Sequence, residues 1–249
     1  MAVDIPALVA QNATRWTKMK LDPVREPQIM ATAKKLCAPE NKVRFQAVTA
    51  KLVSLGYQPM PWAFVAIVAE REYGGPPIWN KQLGQGDPLN EVSHNDPAGR
   101  GPFLDHPGDG PTNNAWLRCA LDALIDCQPK AALWNDWTGG GFATISEEYN
   151  GLGYAAMGVP SAYVWSGSDQ YVSGKYVADH VYRAGVKDVQ LGCMPLLDCM
   201  MSVDKSIILA QKAGAVKPAP TSPVAPAPAS ISPPPQGLVD HLLDAFHRL

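Results

Sequence analysis

The sequence predicts a mainly α-helical (α+β) domain with a small β-hairpin region, followed by a Pro/Ala-rich linker and a short C-terminal helix. Apolar residues recur at helical spacing through much of residues 1–213, whereas Gly and Pro are dense between Gly74 and Pro111. Residues 214–237 consist mostly of Pro, Ala and Ser. Because 46% of the chain is apolar and 18% is charged, a sizeable core can form. We therefore divide the chain into a domain (1–213), a linker (214–237) and an amphipathic helix (238–249).

The helical pattern is strongest in seven segments of the predicted domain. These are Ile29–Cys37, Val43–Leu55, Pro61–Tyr73, Ala115–Cys127, Gly141–Asn150, Val186–Met201 and Val203–Ala213. The third begins with a proline, which suits the first turn of a helix, and has no charge before Glu70, so we expect most of it to be buried. The stretch from Gly74 to Pro111 has little helical pattern, which predicts a long loop or a small β-hairpin region.

The linker and the last residues have different expected structures. A segment rich in Pro favours polyproline II and cannot bury a core. After it, Leu238, Leu242 and Phe246 share one face of a short predicted helix. Such a helix is marginal alone. It is expected to pack on the domain or to dimerise, or alternatively to anchor the chain to a membrane or a cell wall.

Charge and cysteine spacing exclude several kinds of function. The net charge of −2 argues against nucleic acid as the main partner. The five cysteines lack CxxC spacing, which argues against a zinc site, and no other clustered ligand spacing implies a metal or a cofactor. Buried free thiols are expected, with disulfides still open if the protein reaches a periplasm. The cysteines are Cys37, Cys119, Cys127, Cys193 and Cys199.

The N-terminus and the hydropathy of the chain predict where it is made. Residues 1–6 lack the basic and apolar regions of a secretory signal, and no apolar run is long enough to span a bilayer. We therefore expect synthesis in a cytoplasm without a signal peptide. Any activity outside that compartment would need a separate exit route.

Acidic residues at the end of the predicted Pro61–Tyr73 helix are the main candidates for catalysis. A carboxyl beside an apolar wall has a raised pKa and can stay protonated, as a proton donor to a glycosidic oxygen must be. Glu72 is the predicted donor, with Glu70 as a further candidate. Asp87, in a Gly-Asp-Pro turn fifteen positions later, is predicted to support positive charge or to orient water. The alternatives are a solvated helix end in which Arg71 pairs an acid, and an ordinary surface turn.

Polar and aromatic residues later in the chain suit a sugar ligand. Tyr149 and Asn150, at a predicted helix end, offer hydrogen bonds to an N-acetyl sugar, although Asn-Gly is also an ordinary helix cap. Tyr163 and Trp165 lie in an aromatic-rich segment that can stack on sugars or pack in the core. His94 is a candidate for lining the same groove. These residues predict a glycan-binding cleft.

Five motifs, in order and spacing, resemble those of a lysozyme-like family of phage and prophage peptidoglycan hydrolases, the endolysins. The motifs are Glu70–Gly74, Gly86–Leu89, Pro97–Arg100, Tyr149–Tyr154 and Ser161–Ser166. The family is related to goose-type lysozymes and soluble lytic transglycosylases. The resemblance implies a lysozyme-like helical fold whose catalytic acid closes the helix before a β-hairpin.

That resemblance assigns residues by position. The Arg-Glu context carries the catalytic acid over to Glu72, and Asp87 matches an acid in the hairpin. Tyr149 and Asn150 resemble the Tyr-Asn pair that lines the sugar cleft of transglycosylases. The chain departs from its relatives at Ala69, where many have His, and at Tyr73, where transglycosylases have Ser.

The expected function is that of an endolysin that cleaves the bond between N-acetylmuramic acid and N-acetylglucosamine, with Glu72 as general acid. One alternative is a lytic transglycosylase that gives anhydromuramyl products through Glu72 alone. Another is a non-catalytic wall-binding or virion structural protein on a lysozyme scaffold. The implied partner is bacterial peptidoglycan, reached in the periplasm after synthesis in a host cytoplasm and release by a separate holin.

Overall fold

The computed structural model describes residues 2–84, 86–94, 97–178 and 180–210. The predicted linker and C-terminal helix lie outside these residues. The described part contains nine α-helices and one two-stranded antiparallel sheet, which confirms the prediction of a mainly helical chain with a small β region. The helices are α1 (Ile5–Lys18), α2 (Glu26–Cys37), α3 (Pro39–Ser54), α4 (Trp62–Tyr73), α5 (Ala115–Ile125), α6 (Gly139–Tyr149), α7 (Gly153–Ala156), α8 (Ala162–Trp165) and α9 (Cys193–Val203).

Helix α4 lies at the centre of the described fold. Its first eight residues are all buried, because this stretch is apolar on every side. It packs against α3, α6 and α9. The helix ends at Gly74, which adopts a left-handed conformation with φ of 86° and donates its N–H to Glu70 O at 3.0 Å. The two acidic residues of α4 therefore lie where a buried helix meets a loop.

Two further helix pairs each include one helix that contacts α4. Helix α2 packs against α9, and α1 packs against α6. The α1–α6 contact is close, because a Cβ atom at Gly139 or Gly140 would collide with Trp16 or with the backbone of Val9. Helix α1 was not among the predicted helices. It begins at Asp4, whose carboxylate accepts the Ala7 N–H at 3.1 Å as an N-cap.

The β-hairpin lies later in the chain than the region predicted for it. Strands β1 (Lys175–Ala178) and β2 (Val181–Arg183) pair antiparallel, with Tyr176 opposite Tyr182. The described residues between 74 and 111 form a long loop with isolated bridges instead. Pro and Gly disfavour ladder pairing there, whereas Val and Tyr favour strands in the 175–183 segment. The loop alternative therefore holds for the described residues of this region (74–84, 86–94 and 97–111).

Two predicted helices near residue 200 also have different boundaries. The segment predicted as Val186–Met201 becomes helical only at Cys193, and the described residues after Val203 are not helical. Asp188 explains the late start, because its carboxylate and carbonyl accept hydrogen bonds from distant side chains, including Arg71 and Arg25. These tertiary contacts override the local helical pattern. In the described part of the chain, no helix has the length and apolar character needed to cross a membrane.

Candidate active site

Glu72 and Tyr163 form the centre of the candidate site. Glu72 is in the last turn of α4 and is partly exposed, and Tyr163 is in the short helix α8 and is 4% exposed. The Tyr163 hydroxyl donates to Glu72 Oε1 at 2.9 Å. Desolvation raises the pKa of Glu72 to about 7, although the Tyr163 hydrogen bond and the Arg71 charge lower it by smaller amounts. A large fraction of this carboxyl is therefore protonated near neutrality, as a proton donor requires.

A buried ion pair supports the ring of Tyr163. The Arg71 guanidinium carbon lies 4.3 Å from the ring centroid of Tyr163. Arg71 Nη2 donates to Asp188 Oδ2 at 3.2 Å, and Arg71 Nη1 donates to Leu191 O at 3.0 Å. Lys175 pairs with the other oxygen of Asp188 at 3.0 Å. Because these groups hold Arg71 in place, they also hold the tyrosine whose hydroxyl contacts Glu72.

Tyr149 approaches the same carboxyl from the end of α6. Its hydroxyl donates to Leu83 O at 3.4 Å. Burial raises the pKa of Tyr149 well above its ordinary value, and the charge of Glu72 is the next cause. Asn150 follows at the exposed C-cap of α6. The structure thus places Tyr149 and Tyr163 near Glu72, and a shared role of the three residues in a site stays a prediction.

Asp87 lies in a loop whose backbone passes the end of α4, but its carboxylate contacts His94. A Cβ atom at Gly86 would lie 2.8 Å from Glu72 O, so the loop approaches the helix at a glycine. Asp87 Oδ2 accepts the backbone N–H of His94 at 3.0 Å, and Asp87 Oδ1 lies 3.3 Å from His94 Nδ1. In this arrangement both predicted residues stabilise the loop, and neither is bonded to Glu72.

Glu70 pairs with a lysine of another helix, and Trp165 is buried in the core. Glu70 pairs with Lys35 at 2.7 Å, and Lys35 Nζ also donates to Gly74 O at 2.9 Å. Residues two apart point to different sides of a helix, so Glu70 ties α4 to α2 instead of facing the partners of Glu72. Trp165 is 0% exposed and presents no face to a sugar. Trp165 therefore packs in the core.

The sequence did not predict two buried features with carboxyl groups, the Asp188–Arg71 ion pair and Glu147. Asp188 is separated from Arg71 by 117 positions, and no local pattern connects them. Glu147 is 2% exposed on α6, and desolvation raises its pKa to about 7 while Asn12 and Arg15 lower it less. Its Oε1 has no hydrogen-bond partner within the described residues. Gly140, Thr144 and Glu147 recur at helical spacing on the side of α6 that faces α1. This pattern could have indicated from the sequence that Glu147 is buried.

The cysteines and other potential ligands do not form a metal site in the described chain. All five cysteines are free. Burial is the main reason that the pKa of Cys119 and of Cys193 is raised to about 12, which keeps both thiols neutral. Within the described ranges, no group of three or more His, Cys, Asp or Glu residues could hold a metal ion.

Comparisons with known proteins found no relative of this chain. No family model, no curated protein and no solved structure matches the chain. The likeness to endolysins therefore stays a prediction that rests on the sequence motifs. The contacts of Glu72 and its neighbours are the basis for the function proposed below.

Proposed function

We propose that the protein is a lysozyme-type glycosidase that degrades bacterial peptidoglycan, with Glu72 as its general acid. The observation that carries the proposal is the position of the Glu72 carboxyl. It lies at the end of a buried helix, has a pKa raised to about 7, and accepts a hydrogen bond from Tyr163. A carboxyl with this pKa at the rim of an apolar core suits proton donation to a glycosidic oxygen.

In this proposal the bond cleaved joins N-acetylmuramic acid to N-acetylglucosamine. Glu72 protonates the glycosidic oxygen, the C–O bond breaks, and positive charge develops on the ring carbon. Water then adds to that carbon and returns a proton to the Glu72 carboxylate. Tyr163 holds Oε1, which leaves Oε2 for the substrate. Tyr149, near Glu72, and Asn150, at the exposed end of the same helix, would bind polar groups of the sugar.

A second candidate, a lytic transglycosylase, is favoured by the position of Asp87. Within the described residues the Asp87 carboxylate contacts His94 and not the neighbours of Glu72. In a mechanism with one acid, Glu72 protonates the leaving oxygen and then accepts a proton from the muramyl 6-hydroxyl as that hydroxyl attacks. Such a mechanism needs no second carboxylate, and its product is an anhydromuramyl sugar.

The endolysin proposal extends to where the protein acts. It would be made in the host cytoplasm and would reach the periplasm through pores made by a holin. Wall degradation would then lyse the host cell, and the purified protein would be antimicrobial towards cells whose wall is accessible.

The decisive experiment is mass spectrometry of the soluble products released from purified peptidoglycan. Wild type would be compared with Glu72→Gln and with Glu70→Gln, which removes a carboxyl two residues away. Reducing-end products that vanish only with Glu72→Gln would support the hydrolase, and anhydromuramyl products would support the transglycosylase. If wild type released nothing, both enzymatic proposals would fail, and a wall-binding or virion structural role would replace them.

A further inference from the structure

A cavity of about 530 Å³ lies at the junction of α2, α3 and the loop that follows α4. Its walls include Lys35, Glu40, Arg44, Pro76 and Trp79, and they include none of the residues around Glu72. The volume is in the range of sites that hold small molecules or short peptide segments. The cavity is thus separate from the candidate active site, although the loop that forms one wall begins where α4 ends.

Arg44 is held in this cavity by an aromatic platform. Its guanidinium carbon lies 4.5 Å from the ring centroid of Trp79. That ring is fixed in turn by edge-on packing against Trp116, at a centroid distance of 4.8 Å, and by Phe45 at 5.4 Å. A guanidinium stacked on a rigid ring keeps the N–H donors at its edge and loses little conformational freedom when it binds a planar anion.

Arg44 differs from most buried or half-buried cations of the fold in lacking a bonded anion. Six other basic side chains each pair with an Asp or Glu carboxylate, whereas Arg44 has no hydrogen bond or ion pair within the described residues. Asp105 acts on it only at longer range, and Asp105 Oδ1 already accepts the Ala115 N–H at 2.8 Å. The paired cations are Lys35, Lys42, Arg71, Arg100, Arg118 and Lys175.

The charges around Arg44 select among anions. The charge of Lys35 is balanced by Glu70 at 2.7 Å, and Glu40 adds an exposed negative charge at the rim. A doubly charged phosphate would face one unbalanced cation and a repelling carboxylate. A carboxylate with a nearby ammonium group would satisfy both Arg44 and Glu40, and the proline wall would contact aliphatic carbons. That combination of groups is found in a peptide that carries acidic and basic residues.

We propose that this cavity binds a carboxylate of an acidic peptide, with Arg44 as the bidentate donor on the Trp79 platform and Glu40 as the acceptor for an ammonium group of the same peptide. The identity of the ligand rests on the proposed function: for an enzyme that acts on peptidoglycan, it is the short peptide attached to the glycan. The site would then select wall segments that carry free carboxylates.

Calorimetric titration of the full chain carrying Glu72→Gln, which removes the proposed catalytic acid, tests the proposal. The probe is the synthetic peptide Ala-Glu-Lys-Ala, compared with Ala-Gln-Lys-Ala that has an amidated C-terminus. We expect the acidic peptide to bind at least about tenfold more tightly, because charge-assisted bidentate hydrogen bonds are lost in the amide. Adding Arg44→Gln should weaken binding by a similar factor, and Arg44→Lys should restore only part of it.

Controls separate this site from folding defects and from general charge effects. Lys34→Gln removes an exposed cation next to Lys35 and should leave binding unchanged. Glu40→Gln should abolish the preference for N-acetylated Ala-Glu-Lys-Ala over N-acetylated Ala-Glu-Ala-Ala, which lacks an ammonium group, without loss of carboxylate binding. Thermal melting would show whether the Arg44 variants remain folded.

Any of the following would overturn the proposal: no binding of the acidic peptide, equal binding of its amidated form, or retained affinity in folded Arg44→Gln. Displacement of the peptide by an equal concentration of inorganic phosphate would also overturn it, because the cavity would then be a general anion site. Peptide binding without sugar release by wild type would refute the proposed glycosidase and leave the cavity as a peptide site.

Discussion

Two carboxyls of this protein, Glu72 and Glu147, share a pKa raised to about 7 and the same main cause, desolvation. They differ in access and in partners. Glu72 is partly exposed at the end of α4 and accepts a hydrogen bond from Tyr163. Glu147 is 2% exposed within α6, and its Oε1 is unpaired in the described chain. A raised pKa alone therefore does not single out a candidate for a catalytic acid, and access and a positioning partner are what distinguish Glu72 from Glu147.

The largest expected effect is the loss of glycan-cleavage rate in the Glu72→Gln variant. Loss of a general acid should reduce the rate by about 10²–10⁴-fold. Glu147→Gln should keep the rate within about twofold, because a sealed carboxyl cannot reach a substrate. Rates of soluble muropeptide release would measure both. Equal losses in the two variants would contradict the distinction drawn between the two carboxyls.

Glu147→Gln should change stability instead of activity. A carboxyl whose pKa is raised on folding contributes stability below its unfolded pKa, and this contribution is lost as pH rises through the folded value of about 7. The glutamine, which stays neutral, should therefore raise the free energy of unfolding at pH 8 by up to about 3 kcal/mol. Urea unfolding at pH 8 and pH 4 would test this. The difference should vanish at pH 4, and a gain of equal size at both pH values would point to repacking.

Activity should also fall as pH rises through about 7, because Glu72 must be protonated to act as an acid. Above that value the rate should drop about tenfold for each pH unit. A pH profile of wild type would measure this alkaline limb. The limb should keep its position in Glu147→Gln, and its displacement in that variant would mean that the buried carboxyl also contributes to the rate.

The smallest predicted effect is that of Tyr163→Phe. The lost hydrogen bond favours ionised Glu72, so its removal should raise the pKa of Glu72 and move the alkaline limb upward by less than about one unit. The maximal rate should fall by about threefold to tenfold, since the carboxyl loses a group that orients it. Tyr176→Phe is a matched control, because the Tyr176 hydroxyl contacts Met157 Sδ at 3.9 Å and not Glu72. An unchanged pH profile in Tyr163→Phe would mean that this hydrogen bond does not tune the acid.

The sequence was sufficient to predict helix α4 and the position of Glu72 at its end, because an uncharged apolar run followed by acids is a local pattern. It could not separate Tyr163 from Trp165. Both are buried in a four-residue helix, which is too short for periodicity to show which side chain contacts Glu72. Nor could it place Asp188 against Arg71, or assign the hairpin to residues 175–183, because those outcomes depend on long-range packing.

The close contact between α1 and the glycines of α6 has a consequence for local opening of the N-terminus. When α1 separates from α6, water reaches Glu147, whose pKa returns to an ordinary value and which then releases its proton at neutral pH. The free energy of that opening should fall as pH rises through about 7. Amide hydrogen exchange would report it as lower protection factors in α1 at pH 8 than at pH 6, after correction for intrinsic exchange rates. The attachment of the first helix is thereby weakened by the loss of a single proton.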